Sequence, residues 1–193
     1  RWKRVTGVQT CALPISKNLI QLLTQRSSDF VIGRVSGAAA LGVFNVASEI
    51  ASLPSSELAA PINRAVYPSF ARLAADRDAL RKALLDVSSI VFLITLPLGV
   101  GLALTAHLIV PLMLGPLWLE AIPVVSAMAL YGLIDGLGSN TGSMFLALGK
   151  PQIVTRVAAI QLVVLVPGLF LGVAHAGALG AAWAYLGSVV VIV

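Results

Sequence analysis

Charge is the scarcest property of this sequence: 8 acidic and 13 basic residues make up only 11% of its 193 positions, where soluble domains carry about a quarter. Cysteine is confined to Cys11, so neither an internal disulfide nor a thiolate metal cluster can form. The two histidines, His107 and His175, stand alone and far apart in the sequence, which leaves no metal-ligand spacing. No phosphate-binding G-x-x-x-x-G-K-[ST] loop occurs, because Gly149-Lys150 runs directly into Pro151. No nucleophile lies at a spacing that would pair it with a base. These absences argue against an enzyme, against a bound metal or cofactor and against nucleotide hydrolysis, so any transport must draw on a gradient or on another protein.

Apolar sequence fills the space that charge leaves. Hydrophobic residues make up 58% of the chain, the mean hydropathy is +0.95, and apolar runs recur at roughly the 20 residues needed to cross a bilayer. Residues 1–15 are set aside from fold reasoning, because Val5 to Ile15 (VTGVQTCALPI) looks like the translation of a sequencing-adapter oligonucleotide. The alternative reading of that stretch is a basic tail contacting anionic lipid. Leaving out Arg1, Lys3 and Arg4 lowers the net charge from +5 to +2, which removes the case for a nucleic-acid partner. The last residues, up to Val193, are still apolar, so residues 16–193 read as a unit cut at both ends.

Six segments follow. The first, 18–35, carries Gln25, Arg26, Ser27, Ser28 and Asp29 near its middle and ends at the turn signal Ser36-Gly37. The second, 40–67, contains Pro54 and Pro61, which a helix in lipid tolerates where neighbours satisfy the freed carbonyls. Residues 72–86 form a charged amphipathic connection expected to lie at the membrane surface. The third segment, 87–113, holds no charged residue. The fourth, 122–148, is interrupted by Asp135 and by Ser139-Asn140-Thr141, and Gly149-Lys150-Pro151 turns it into the fifth, 153–173. A turn over 174–179 leads to the sixth. The fold class is therefore an all-α membrane protein, a bundle of about six transmembrane helices.

Cytoplasmic loops retain Lys and Arg. Arg64, Arg72, Arg77, Arg81 and Lys82 follow the second segment, and Lys150 with Arg156 follow the fourth, so both connections are expected inside. Residues 111–120 and 174–179 hold no Lys or Arg and belong outside, with Arg34 the one discordant charge.

An ionised group at mid-bilayer costs a few kcal/mol, so intramembrane charges face a partner or a water-filled cavity. Arg26 and Asp29 share one face of the first segment. Asn45, Glu49, Ser52 and Ser56 fall at i, i+4, i+7 and i+11, a polar stripe along an otherwise apolar helix. Tyr131, Asp135, Ser139 and Ser143 repeat the pattern in the fourth segment. Each group has two readings. Arg26 and Asp29 either line a cavity or form an ion pair between helices, and the stripes either face a hydrophilic path or serve as interhelical hydrogen-bond glue. Asp29, Glu49 and Asp135 are also candidates for taking up and releasing a coupling proton. Glu57 reads as a partner for Arg64, and the prolines at 54, 97 and 167 read as static kinks.

The stretch SSDFVIGRVSGAAALGVFNVASEIASLP, followed by NRAVYPSFARLAADRDALRKA, resembles the polysaccharide transporters (Wzx-like flippases) of the multidrug/oligosaccharidyl-lipid/polysaccharide exporter superfamily. LIVPLMLGPLWLEAIPVVSAMALYG and GSNTGSMFLALGKPQ are similar to later helices of the same family. The resemblance covers everything after Ser16. It implies one lobe of a two-lobe, MATE-like exporter fold, with this chain supplying helices seven to twelve and the N-terminal lobe missing. The implied substrate is an undecaprenyl-pyrophosphate-linked oligosaccharide, turned across the inner membrane by alternating access, with membrane lipid and the missing lobe as partners. Arg26, Asp29, Asn45, Glu49, Ser52, Asp135 and Ser139 are the candidate cavity-lining residues. The runner-up is a cation-coupled multidrug antiporter of the same superfamily. A polymerase or ligase of the same pathway needs a larger outer loop than this sequence offers, and a purely structural subunit does not need polar faces on three helices.

Overall fold

The structure, a computed structural model, describes residues 7–192 apart from 55, 58, 59, 74 and 75. Residues 1–6 of the stretch set aside above lie outside the described residues. Among the described residues every regular element is helical: α1 (Gly7–Val35), α2 (Gly37–Pro54), α3 (Ala60–Leu73), α4 (Arg77–Leu114), α5 (Ala121–Ala147) and α6 (Pro151–Ile192), with a 3-10 turn at Pro116–Trp118 between α4 and α5. Three helices are long and apolar enough to cross a membrane, with spans at Arg77–Leu114, Ala121–Leu146 and Pro151–Val191. The chain is a multi-pass membrane protein.

The helix ends follow from local sequence. Asp76 caps α4: its carboxylate accepts bonds from the backbone N–H groups of Asp78 and Ala79 at 3.0 and 3.1 Å, which satisfies donors that the first turn leaves unpaired. At the other end of α5 the Lys150 N–H reaches back to the Phe145 carbonyl at 2.9 Å, while Gly149 takes φ 67°. This is the left-handed closure that glycine permits, and it makes the turn expected at Gly149-Lys150-Pro151.

Two segments differ from the sequence expectation. Residues 40–67 do not form one helix: α2 stops at Pro54 and α3 starts at Ala60, because Pro54 and Pro61 each remove a backbone donor within eight residues. Residues 72–86 do not form a separate surface helix. Asp76 starts a new helix that runs unbroken into the apolar stretch, since no glycine or proline intervenes before Pro97. At 1.5 Å per residue, α4 is roughly 57 Å long against about 30 Å of hydrocarbon. Its charged start, Arg77 to Asp86, therefore extends beyond the hydrocarbon.

The fifth and sixth segments are assigned to one 42-residue helix, α6, but Ala176 (φ −137°, ψ 18°) and Gly177 (φ 55°, ψ −130°) break it. The chain doubles back there. Gly172 lies against the backbone of Gly180, and a Cβ built on Gly168 would lie 3.4 Å from the Ala184 Cβ. Contacts at 172 with 180 and 168 with 184 keep a constant sum, the signature of two antiparallel helices. Small residues let their backbones approach, as in membrane helix pairs generally.

The central helix is α5, which packs against α2, α3, α4 and α6, while α1 lies on α6 and α2. Its Ala121, Val124, Val125 and Met128 are buried with Phe44, Ala47, Ile50 and Ala51 of α2 and Leu165, Leu169 and Val173 of α6. The Ser126 hydroxyl bonds the Ala103 carbonyl of α4 at 2.9 Å. The outer faces stay apolar and exposed, with Leu93, Leu104, Leu108 and Leu112 on α4 and Val163, Phe170 and Leu171 on α6, as a lipid-facing surface requires.

Candidate functional site

The polar stripe of α2 lies on the side turned away from the core. Phe44, Ala47, Ile50 and Ala51 are buried, whereas Asn45, Glu49 and Ser52 are exposed. A repeat of three and four residues keeps each set on its own face. The Ser52 hydroxyl donates to the Glu49 carbonyl at 2.9 Å, so it is tied to its own helix. Ser56, the last member of the predicted stripe, falls beyond Pro54 and donates to the Leu53 carbonyl and the Glu57 carboxylate at 3.4 and 3.3 Å.

Arg26 is exposed on α1 and Asp29 is half-buried. The exposed face around Arg26 also carries Leu22, Leu23 and Phe30. On α5, Asp135 is exposed and is engaged by another group, while the side chain of Ser139 lies outside the described residues. Arg26 and Asp29 of α1, Asn45, Glu49 and Ser52 of α2 and Asp135 of α5 thus lie on surfaces that the core leaves at least partly open. A hollow of about 270 Å³ is lined by Ala40, Val43, Glu120, Val124 and residues 176–179, and none of the candidate residues borders it. Among the described residues no group of three or more His, Cys, Asp or Glu is placed to hold a metal ion.

Sequence reasoning missed a buried polar knot beside these faces. Ser28 is 1% exposed, and its hydroxyl lies 2.7 Å from the Tyr185 hydroxyl in the second half of α6. Ser28 also donates to the Thr24 carbonyl at 2.8 Å. The Tyr185 ring meets Phe44 of α2 at 5.7 Å between centroids and Tyr131 of α5 edge-on at 5.3 Å, geometries that aromatic pairs favour. Four helices therefore meet at one aromatic and hydroxyl centre. Tyr185 gave little sequence signal, because it is a lone tyrosine in an apolar run whose partner is 157 residues away.

The chain matches the family model described as "Polysaccharide biosynthesis protein" over residues 8–123. It is 29% identical to the lipopolysaccharide biosynthesis protein WzxC of Escherichia coli (strain K12), over 88% of this chain and 34% of that protein. It is 28% identical to the teichuronic acid biosynthesis protein TuaB of Bacillus subtilis (strain 168), over 90% of this chain and 36% of that protein. It is also 24% identical to the succinoglycan biosynthesis transport protein ExoT of Rhizobium meliloti (strain 1021), over 60% of this chain and 24% of that protein. The chain spans about a third of the length of the first two relatives. No solved structure matches it. With the family model covering more than half its length, an all-helical body and spans fit for a membrane, the chain belongs to the polysaccharide biosynthesis family of membrane transporters that its sequence resembles.

Proposed function

We propose that this chain is part of a flippase that turns an undecaprenyl-pyrophosphate-linked oligosaccharide from the cytoplasmic to the outer leaflet of the inner membrane. It would supply the C-terminal lobe, helices seven to twelve, of a two-lobe exporter that works by alternating access. The observation that carries this reading is the placement of Arg26 and the α2 stripe. Both are exposed, both lie on helices whose opposite sides are buried, and both belong to a chain of a polysaccharide biosynthesis family. A guanidinium turned into hydrocarbon costs at least about 2.5 kcal/mol, so the face of α1 that carries Arg26 must meet water, substrate or the rest of the protein. A guanidinium can grip pyrophosphate oxygens bidentately. Asn45, Glu49 and Ser52 offer the donors and acceptors that sugar hydroxyls need, and the apolar outer faces of α4 and α6 leave the polyprenyl tail in lipid.

Relatives named for lipopolysaccharide, teichuronic acid and succinoglycan biosynthesis have in common an exported polymer of sugars. That breadth favours a site that recognises the common lipid pyrophosphate and tolerates the glycan. The test is to exchange Asn45 and Ser52 for leucine in the intact protein and measure surface polysaccharide in cells lacking the native copy. Loss of polymer at normal protein abundance supports the reading, and full polymer export removes the α2 stripe from the path.

A further inference from the structure

We propose that Tyr185 is a positioning residue that fixes the rotational setting of α1, and with it the direction in which Arg26 points. The inference deepens the reading above and rests on it for the importance of Arg26, but the contact itself stands on geometry alone. Successive helix positions are about 100° apart, so Ser28 and Arg26 differ by about 160° around α1 and Asp29 lies about 100° from Ser28. Turning Ser28 inward to meet Tyr185 therefore turns Arg26 outward and leaves Asp29 on the flank. The exposures agree: Ser28 is 1% exposed, Phe30, on the same side as Arg26, is 69% exposed, and Asp29 is half-buried.

Apolar contacts such as those of the buried Val31 and Ile32 are non-directional, so they set the rotation of a helix less sharply than a hydrogen bond does. A hydroxyl pair at 2.7 Å with both side chains buried does fix it, since rotation leaves the Ser28 hydroxyl on its own Thr24 carbonyl but strands the Tyr185 hydroxyl where no water replaces the lost bond. Tyr185 is itself held. Its ring is wedged against Phe44 of α2 and Tyr131 of α5, and the next turn is anchored by the buried Ser188 hydroxyl on the Tyr185 carbonyl at 2.7 Å. The setting of α1 is thus referred to the rest of the bundle through one phenol.

The experiment uses the intact protein in membranes, with its native cysteines replaced by serine and single cysteines at 27, 29, 30 and 33 carrying a nitroxide label. Label mobility along these four positions reports the rotational phase of α1. In the parent, position 30 is expected to be the most mobile. Tyr185→Phe keeps the ring and removes only the hydroxyl, and Ser28→Ala removes its partner. Each is expected to lower the mobility contrast between positions 30 and 27 about five-fold, the shift that one membrane hydrogen bond supports, and the double variant to lower it no further. Unchanged contrast in both single variants overturns the proposal. A shift that sums in the double variant overturns it too, because the hydroxyls then act separately. Tyr185→Leu at matched abundance separates ring packing from the hydroxyl: contrast lost only with the ring sinks the role given to the bond. Transport is read separately. A lost contrast with normal export upholds the positioning role and contradicts the flippase reading of Arg26.

Discussion

Arg26 is exposed in the middle of α1 with leucines and a phenylalanine around it, and the proposed reading makes it a pyrophosphate contact. Its chemistry is specific. Lysine preserves the charge but loses the planar fork that meets two phosphate oxygens at once. Arg26→Lys is therefore expected to lower transport by about ten-fold, roughly the value of one charge-assisted bond, while protein abundance stays at the parent level. Export assayed against abundance in membranes checks it, and parent-like export of the lysine variant removes the bidentate contact. The exposed position of Arg26 on α1 was legible in the sequence, since a guanidinium between leucines and a phenylalanine stands out. The partner of Tyr185 was not: hydrophobic periodicity cannot show that a tyrosine in one helix meets a serine 157 residues earlier.

The helices were legible wherever the code is local. Turns at Ser36-Gly37 and Gly149-Lys150-Pro151 fall where expected, because glycine and proline act on their own backbone. The α2 stripe is exposed because its spacing is helical and its opposite face is apolar. What escaped was continuity. Pro54 with Pro61 split a run that looked like one span, and Asp76 fused a charged connection to the span after it. Hydropathy averages over such single residues. The tightest feature at this scale is the hairpin within α6, where Gly172 and Gly180 leave no room for a side chain on either helix, while Gly187 faces open space. Gly172→Ala is expected to cost about 2 kcal/mol through overpacking, and Gly187→Ala to be neutral or slightly stabilising through helix propensity. Thermal unfolding of the detergent-solubilised protein distinguishes them, and equal midpoints for the two variants contradict the backbone contact.

The whole molecule is a multi-pass helical body with a basic cluster at the α3–α4 connection and a further lysine at the α5–α6 turn. The basic residues Arg72, Arg77, Arg81, Lys82 and Lys150 are all exposed, and the rule that inside loops retain Lys and Arg gives the expectation, to be tested, that the α3–α4 connection and the α5–α6 turn face the cytoplasm. Labels introduced at 78 and 150 should react only from the cytoplasmic side and a label at 117 only from outside. An inversion among the three would break the topology on which the lobe assignment depends. The most direct test of the central claim is movement of a pyrophosphate-linked oligosaccharide on a polyprenyl tail across vesicles holding the intact protein, read as sugar newly accessible to an external lectin. The parent is expected to expose the sugar. The double variant Arg26→Gln with Asp29→Asn, which removes both charges together and so strands neither, is expected to fold to parent abundance and leave the sugar inside. Sugar exposed by the double variant at the parent rate would contradict the account.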